Sequence, residues 1–341
     1  MAINKLREEE EILNQAAKEV MDLIDALPNI DDLTLEDEQN LFIKQAEAKE
    51  ILVKDSLCGP TPTSVFLAEP SLRLYIKVTD YCNADCKFCA NGACTDFGKI
   101  DLSKLEFVIR YLKEKNRLHS ISLTGGEPMI NPELVNKILN LIWSIDNKID
   151  IQISTNGLNL LEIANFDNVN NLESIHISRH HYDEDKNMFI FGNDKVATTE
   201  DIMKLQEILT NKKIININTV AIKGYIDNLK EIKKMLDYVG EIGVYKNGFV
   251  SLMKCNDYSC EHFVNYNDIF NNLDNNFLLT HRFYSGEYCE CIDGIYASSN
   301  AKFVEFYARM VKDCSCAYTT QLVYTSDNKV TAGFGGKVLY K

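Results

Sequence analysis

The chain has 341 residues and a formal net charge of −14, from 36 Lys and Arg against 50 Asp and Glu. This acidic balance argues against a duplex nucleic-acid surface, which needs clustered cations. No apolar run is long enough to span a bilayer, and the first residues, MAINKLREEEEILNQ, lack a signal-peptide core. We therefore predict a soluble, cytoplasmic protein that binds neither nucleic acid nor membranes.

The predicted elements begin with a helical N-terminal extension over residues 1–70. Residues 1–26 carry apolar side chains at helical spacing, a second helix is predicted around residues 35–53, and CGPTPTS at 58–64 is typical of a linker. Two roles remain open for this extension, a packing cap on the main domain or an arm that docks a partner.

Residues 71–254 alternate short β-rich runs with helical segments. Six strands with intervening helices predict parallel pairing, so we expect a partial (β/α)6 barrel with its chemistry at the carboxyl ends of the strands. The predicted strands are 72–78, 120–123, 149–154, 174–178, 214–222 and 243–253, and the predicted helices are 101–116, 132–145, 199–210 and 226–239.

Residues 255–341 form a third predicted domain, small and of mixed α+β type. It ends in two strand candidates, QLVYTS and KVTAGF, joined by an Asp-Asn turn. Six of the 11 cysteines lie in this tail: Cys255, Cys260, Cys289, Cys291, Cys314 and Cys316.

Cysteine usage points to metal binding rather than disulfides. A cytosolic compartment is reducing, and an odd count of 11 leaves at least one thiol unpaired. Cys82, Cys86 and Cys89 are crowded into DYCNADCKFCANG, directly after the first predicted strand. Thiolates suit iron–sulfur clusters and zinc, but a closed structural zinc site needs four ligands. Three thiolates on one loop leave an iron of a cubane open to another ligand.

With these cysteines in place, the sequence resembles the radical S-adenosylmethionine (radical SAM) superfamily over roughly residues 70–255. Cys82, Cys86 and Cys89 match its cysteine motif, with the aromatic Phe88 before the last cysteine. Its Gly-Gly-Glu-Pro segment is matched by residues 125–128, after the second predicted strand. The resemblance implies that the three thiolates hold a [4Fe–4S] cluster whose open iron binds S-adenosylmethionine (SAM). One electron, from a flavodoxin- or ferredoxin-like reductant, then yields a 5′-deoxyadenosyl radical that abstracts hydrogen from substrate.

The resemblance also implies a set of SAM contacts at the strand ends. The glycine backbone is expected to approach the methionine ammonium closely, because no Cβ intervenes. Glu127 is expected to buttress that segment or to help neutralise the cation. The residues predicted to contact SAM are Phe88, Gly125, Gly126, Glu127, Pro128, Ser154, Asn156, Ser178 and Asn218.

A second cluster of polar residues, SRHHYDEDKN at 178–187, follows the fourth predicted strand. Arg179, His180 and His181 are candidate substrate contacts, since Arg makes bidentate bonds to phosphate or carboxylate. The alternative is a solvated loop with a helix N-cap at Asp183.

The tail cysteines resemble, in number, the auxiliary-cluster domains of the branch that contains the GTP cyclase of molybdenum-cofactor synthesis and the peptide maturases. Their spacing, C-x4-C, C-x-C and C-x-C, matches neither group. We expect a second [4Fe–4S] cluster on these cysteines. A zinc site from Cys289, Cys291, Cys314 and Cys316 is the alternative, and Cys291 or Cys314 is a candidate spare hydrogen donor.

Three functions are therefore compared. The favoured one is an anaerobic radical SAM enzyme that acts on a small molecule or a peptide in a biosynthetic or maturation pathway. The second is an iron–sulfur electron-transfer protein without radical chemistry, which would need no Gly-Gly-Glu-Pro segment. The third is a viperin-like nucleotide-modifying enzyme, a group without a cysteine-rich tail.

Overall fold

The computed structural model describes residues 72–91, 96–115, 118–244, 246–265, 269, 278–284, 292–299, 302–309, 321–334 and 337–341. The predicted helices of residues 1–70 lie outside the described residues, as do Cys58, Cys94, Cys289, Cys291, Cys314 and Cys316. The chain divides into two compact units, residues 70–264 with 319–341, and residues 1–69 with 265–318. Within the described residues, no helix is long and apolar enough to cross a membrane.

The larger unit is built from strands that alternate with helices. Its first six strands are β1 (Leu72–Thr79), β2 (Leu118–Gly125), β3 (Asp150–Thr155), β4 (Ser174–Ser178), β5 (Ile215–Ala221) and β6 (Lys246–Ser251). Its α-helices are α1 (Leu102–Glu114), α2 (Pro132–Ile145), α3 (Glu184–Phe191), α4 (Thr199–Ile208), α5 (Leu229–Glu241) and α6 (Asp257–Glu261). Short 3-10 helices cover Pro128–Ile130, Leu160–Asn165, Val169–Asn171 and Lys212–Ile214.

The six strands pair in parallel, each with the next along the chain. Helices connect them, as a parallel sheet requires. The predicted fold class, a partial (β/α)6 barrel, is confirmed. The predicted strand 174–178 matches β4 residue for residue, whereas α3 was foreseen only in the alternative that placed a helix N-cap at Asp183.

Residues 265–318 contain a three-stranded antiparallel meander of β7 (Leu278–Tyr284), β8 (Ile292–Ser299) and β9 (Lys302–Arg309). Strand β8 pairs with both neighbours, with Tyr284 opposite Asp293 and Ser299 opposite Lys302.

The chain then returns to the larger unit with β10 (Gln321–Tyr324), β11 (Val330–Ala332) and β12 (Val338–Tyr340). Strand β10 runs parallel to β1, and β11 and β12 add antiparallel strands beyond it. The predicted β10–β11 hairpin is therefore confirmed, with Asn328 in the left-handed conformation at its turn. This turn braces the segment before α1: Asn328 Oδ1 accepts from Asp101 N at 2.6 Å, and Lys99 N donates to Ser326 O at 3.0 Å.

The core lies on one face of the parallel sheet. In β1, Leu72, Leu74, Ile76 and Val78 are buried, whereas the alternate residues Arg73, Tyr75 and Lys77 are only half-buried. Helices α2 and α5 each bury an apolar stripe, such as Ile138 and Ile142 of α2. Parallel strands covered on both faces read as continuous apolar runs. The alternation seen here leaves the second face polar, facing the barrel interior.

Candidate active site

The loop after β1 carries three half-buried thiols, Cys82, Cys86 and Cys89. Burial, with smaller contributions from the neighbouring Cys89 and Cys82, raises the pKa of the Cys86 thiol to about 12. Among the described residues, no three His, Cys, Asp or Glu side chains converge closely enough to hold one metal ion. A cubane makes a different demand, since each thiolate binds its own iron. A cationic cluster would supply the positive charge that these buried thiolates lack.

The first half of this loop is fixed by the segment that follows α3. Asp85 N donates to Phe191 O at 2.8 Å, where the helix ends. Asn193 Nδ2 donates to Asn83 O at 2.5 Å, and Asn83 Nδ2 donates to Lys195 O at 2.9 Å. The backbone around Cys82 and Cys86 is thus bonded to residues more than 100 positions away along the chain, and its conformation depends on the folded barrel.

The second half of the loop is held by residues beyond β6. Asn256 Nδ2 donates to Lys87 O at 3.0 Å, and Cys255 Sγ lies 3.8 Å from Phe88 O. Asn91 Nδ2 donates to Gly125 O at 3.0 Å, which ties the end of the loop to β2. The loop that carries the cysteines is therefore anchored at both ends before any ligand is considered.

The Gly125-Gly126 pair packs against the beginning of the cysteine loop. Gly126 N donates to Thr79 O at 2.8 Å, and Glu127 N donates to Tyr81 O at 2.9 Å. A Cβ on Gly126 would lie 2.0 Å from Tyr81 O, and one on Gly125, which has φ +140°, would lie 2.2 Å from Thr79 O. The absence of a Cβ at these glycines thus lets them approach the protein's own backbone closely, in addition to the close approach to SAM that we expect.

Glu127 links the ends of β2 and β3. Its carboxylate is buried and accepts from Met129 N at 2.9 Å, Thr155 Oγ1 at 2.6 Å and Asn156 N at 2.6 Å. Burial raises the pKa of Glu127 to about 7, although the three donated bonds oppose this. Of its two expected roles, the geometry favours the buttress. Pro128 is buried and opens the 3-10 helix that Glu127 caps.

Ser178 and Asn218 lie side by side at the carboxyl ends of β4 and β5. Both side chains are half-buried, and neither forms a hydrogen bond with another described residue. The backbone oxygen of Asn218 accepts a hydrogen bond from Arg179 N. Gly248 of β6 leaves room beside them, since a Cβ there would lie 2.8 Å from Asn218 Oδ1. Ser154 of β3 lies on the same polar face. These side chains are available to a ligand.

Arg179, His180 and His181 are buried, so the alternative of a solvated loop is wrong for them. The Arg179 guanidinium donates to three backbone carbonyls, those of His181, Tyr182 and Ala197, and lies over the Tyr238 ring. Asp183 caps α3, as that alternative proposed. In the described structure Arg179 organises its own loop, and its contact with substrate stays a prediction.

His180 lines the wall next to the cysteine loop. Its ring stacks on Phe191 and meets Phe88 edge-on at 5.4 Å, and its Nδ1 accepts from Val220 N. Burial, with a smaller contribution from Arg179, lowers the pKa of His180 to about 3. Burial likewise lowers the pKa of His181 to about 4. Both imidazoles are neutral at physiological pH.

Two of the six tail cysteines are described. Cys255 is half-buried against the cysteine loop, and Cys260 is exposed on α6. Their predicted role as ligands of a second cluster stays a prediction.

Sequence reasoning missed the asparagines that anchor the loop, Asn83, Asn91, Asn193 and Asn256. The only available signal was the abundance of Asn around the cysteines and after the strands, because their partners are distant in sequence.

A model of the radical SAM superfamily matches residues 76–239 of the chain. The GTP 3′,8-cyclase of Clostridium perfringens is 29% identical over 192 residues, which cover 53% of this chain and 55% of that enzyme. The 7-carboxy-7-deazaguanine synthase of Clostridium acetobutylicum is 30% identical over 181 residues, which cover 53% of this chain and 71% of that enzyme. The chain thus spans about half the length of the GTP cyclase that it matches.

Among solved structures, SuiB of Streptococcus suis bound to S-adenosylmethionine shares the fold, with a TM-score of 0.53 and 15% identity over 88% of this chain and 68% of SuiB. Residues 76–239, which the family model matches, contain the cysteine loop, the Gly-Gly-Glu-Pro segment and the carboxyl ends of β1 to β5. The predicted relation to the GTP cyclase is confirmed by the named relatives. This chain belongs to the radical SAM superfamily.

Proposed function

We propose that this protein reductively cleaves SAM at a [4Fe–4S] cluster bound by Cys82, Cys86 and Cys89. The observation that carries this proposal is that three half-buried thiols lie on one loop, which is bonded directly to the Gly-Gly-Glu-Pro segment. Membership of the superfamily implies both cofactors. Bound there and supplied with one electron, the two would yield methionine and a 5′-deoxyadenosyl radical able to abstract a hydrogen atom from substrate.

The protein's own residues bind and orient these cofactors. The backbone of Gly125 and Gly126 places the β2 edge beside the cysteine loop, and Glu127 fixes that edge to β3. Ser178 and Asn218 have side chains free to bind the ribose of SAM, and Gly248 provides the space. Phe88 of the cysteine loop packs edge-on against the buried His180, and these two rings would help to keep water from the reacting centre.

The substrate is a polar small molecule or a peptide segment that enters the barrel. The inner face of the strands carries hydrophilic side chains, among them Ser122, Gln152, Ser154, Ser178 and Asn218. A surface of this kind binds a ligand that forms hydrogen bonds more tightly than a purely apolar one. The relatives include enzymes named for GTP and for a deazaguanine, which supports a small polar substrate. The crystal structure of SuiB with the precursor peptide SuiA supports a peptide. A flavodoxin- or ferredoxin-like protein in the cytoplasm delivers the electron.

The tail, residues 255–341, holds a second [4Fe–4S] cluster in this proposal. Iron counts test it: cubane stoichiometry predicts roughly eight irons per chain in the reconstituted protein and roughly four after replacing Cys82, Cys86 and Cys89 by Ala. A fall from roughly four to none would leave the tail cysteines to zinc or to packing.

The main experiment measures 5′-deoxyadenosine and methionine from SAM after anaerobic reconstitution and reduction. We expect product from the wild type and none from the C86A variant. Cys58→Ala is the matched control, because this cysteine belongs neither to the cysteine loop nor to the cysteines of the tail. A protein that binds iron and accepts electrons but never forms 5′-deoxyadenosine would be an electron-transfer protein, and the proposal would fail.

A further inference from the structure

Two N–H groups are directed at the sulfur of Cys82. One is the backbone N–H of Ala84, at 3.4 Å, and the other is the side-chain amide of Asn156, at 3.8 Å. Asn156 follows β3, and 74 residues separate it from the cysteine, so the fold rather than the local sequence brings them together.

The amide of Asn156 can be oriented in only one way. Its Oδ1 accepts from Leu158 N at 3.0 Å, within the turn after β3. Its Nδ2 donates to Asn83 Oδ1 at 2.8 Å, and Asn83 presents that oxygen because its own Nδ2 donates to Lys195 O. Rotating the amide by 180° would bring two oxygens together and two donors together. The nitrogen must therefore face Cys82.

The position of Asn156 is equally well determined. The residue is buried, with 6% of its surface exposed, and its backbone N–H donates to the Glu127 carboxylate at 2.6 Å. A short chain of hydrogen bonds thus runs from the Gly-Gly-Glu-Pro segment through Asn156 to the first cysteine of the loop.

A donor near a cluster thiolate changes the energetics of electron uptake. Hydrogen bonds to cluster sulfurs stabilise the more negatively charged reduced state, and they are among the factors that set cluster potentials. We propose that Asn156 is a positioning residue that donates a hydrogen bond to the Cys82 thiolate and thereby raises the reduction potential of the cluster. This inference rests on the proposed cluster at Cys82, Cys86 and Cys89. It assigns the Asn156 amide to a thiolate, whereas the sequence analysis predicted a contact with SAM.

The experiment compares the midpoint potential of the reconstituted cluster, without SAM, in the wild type and in N156D and N156A. N156D keeps the acceptor for Leu158 N and loses the donor, while N156A loses both. A spectroelectrochemical titration gives the potential, and the electron paramagnetic resonance spectrum of the reduced state reports the sulfur environment. The matched control is N193A, which removes a bond to the same loop, at Asn83 O, without contacting a sulfur.

We expect a more negative midpoint in both Asn156 variants, larger in N156D because of its added charge, and the wild-type value in N193A. An unchanged midpoint in N156D and N156A, or an equal shift in N193A, overturns the inference. Loss of iron from both Asn156 variants with full iron in N193A also overturns it, because Asn156 would then be needed for folding rather than for the potential. Wild-type protein that binds no cluster overturns the proposed function together with this inference, whereas 5′-deoxyadenosine formation with unshifted potentials overturns the inference alone.

Discussion

The carboxyl ends of the six parallel strands form two unlike edges. At the β1–β3 edge, the polar groups form hydrogen bonds with one another: Glu127 accepts three hydrogen bonds, and Gly126 N donates to Thr79 O. At the β4–β6 edge, Ser178 and Asn218 bond no other described side chain, and Gly248 leaves a gap beside them. The difference indicates a division of labour, in which the β1–β3 edge fixes the cysteine loop and the β4–β6 edge is open to a ligand.

The largest effect should come from Gly126→Ala at the β1–β3 edge. The new Cβ would lie 2.0 Å from Tyr81 O, and backbone on both sides prevents relief by side-chain movement. We expect the variant to lose nearly all cluster iron, measured as iron and sulfide per chain after anaerobic reconstitution. Gly224→Ala is the matched control, since its Cβ meets nothing within 4 Å and only its φ of +89° opposes the change. Full iron in G126A would show that the loop adapts.

The next effect concerns Glu127→Ala. Three donors, Met129 N, Thr155 Oγ1 and Asn156 N, would lose their buried acceptor. At about 1 kcal/mol or more for each unsatisfied group, the free energy of unfolding should fall by about 3 kcal/mol. Chemical denaturation of the cluster-free protein measures it. Glu133→Ala on the exposed surface of α2 should leave the free energy of unfolding near the wild-type value. Similar losses in the two variants would contradict the buttress role.

A pH-dependent effect is expected from His180, beside the β4–β6 edge. Burial lowers its pKa from 6.5 to about 3, so the unfolded chain takes up a proton below pH 6.5 while the folded chain does not. The stability contributed by the neutral imidazole is therefore present above pH 6.5 and is lost as the pH falls toward 3. Between pH 6.5 and 4.5 this amounts to about 2–3 kcal/mol.

The comparison of wild type with H180N isolates this contribution, because other titrating groups, such as Glu127, are common to both proteins. Asn can still accept from Val220 N. Denaturation at several pH values should give a profile for H180N that falls less steeply with acid. Parallel profiles would show that His180 titrates alike in the folded and unfolded chains, so that burial does not lower its pKa.

The smallest effect is expected from Asn218→Ala at the β4–β6 edge. Its amide bonds no other described group, so iron content and stability should stay at wild-type values. The dissociation constant for SAM should rise about tenfold, equivalent to about 1.4 kcal/mol, for one lost hydrogen bond. Isothermal titration of the reconstituted protein measures it, with Asn140→Ala, whose amide donates to Asp167 on the surface, as control. Loss of cluster iron in N218A would show that the β4–β6 edge also holds the cysteine loop, which would contradict the separate roles of the two edges.

The sequence predicted the strands and the cysteine loop well because both depend on local pattern. Alternation in LRLYIKV, for example, marks β1 to within a residue. Helix α3 was foreseen only through the N-cap at Asp183 and without bounds, since its eight residues, EDKNMFIF, show no helical periodicity and end at a left-handed Gly192.

The parts of the site that the sequence did not predict depend on long-range contacts. Asn193 meets Asn83 across 110 residues, and Asn256 meets Lys87 across 169. No local pattern distinguishes these asparagines from surface residues. The same holds for the pairing of β10 with β1: the hairpin was visible in its turn residues, but its neighbour in the sheet was not.

The β10–β11 hairpin also bears on the order in which the protein is completed during synthesis. Its turn bonds Lys99 and Asp101, and its Ser326 hydroxyl bonds Asp80, directly before the cysteine loop. These partners leave the ribosome well over 200 residues before the hairpin does. Contacts of such separation form late. Until the hairpin is made, the residues that precede the cysteine loop lack these contacts. Iron and sulfide inserted at that stage would therefore meet a less restrained loop than iron and sulfide inserted afterwards.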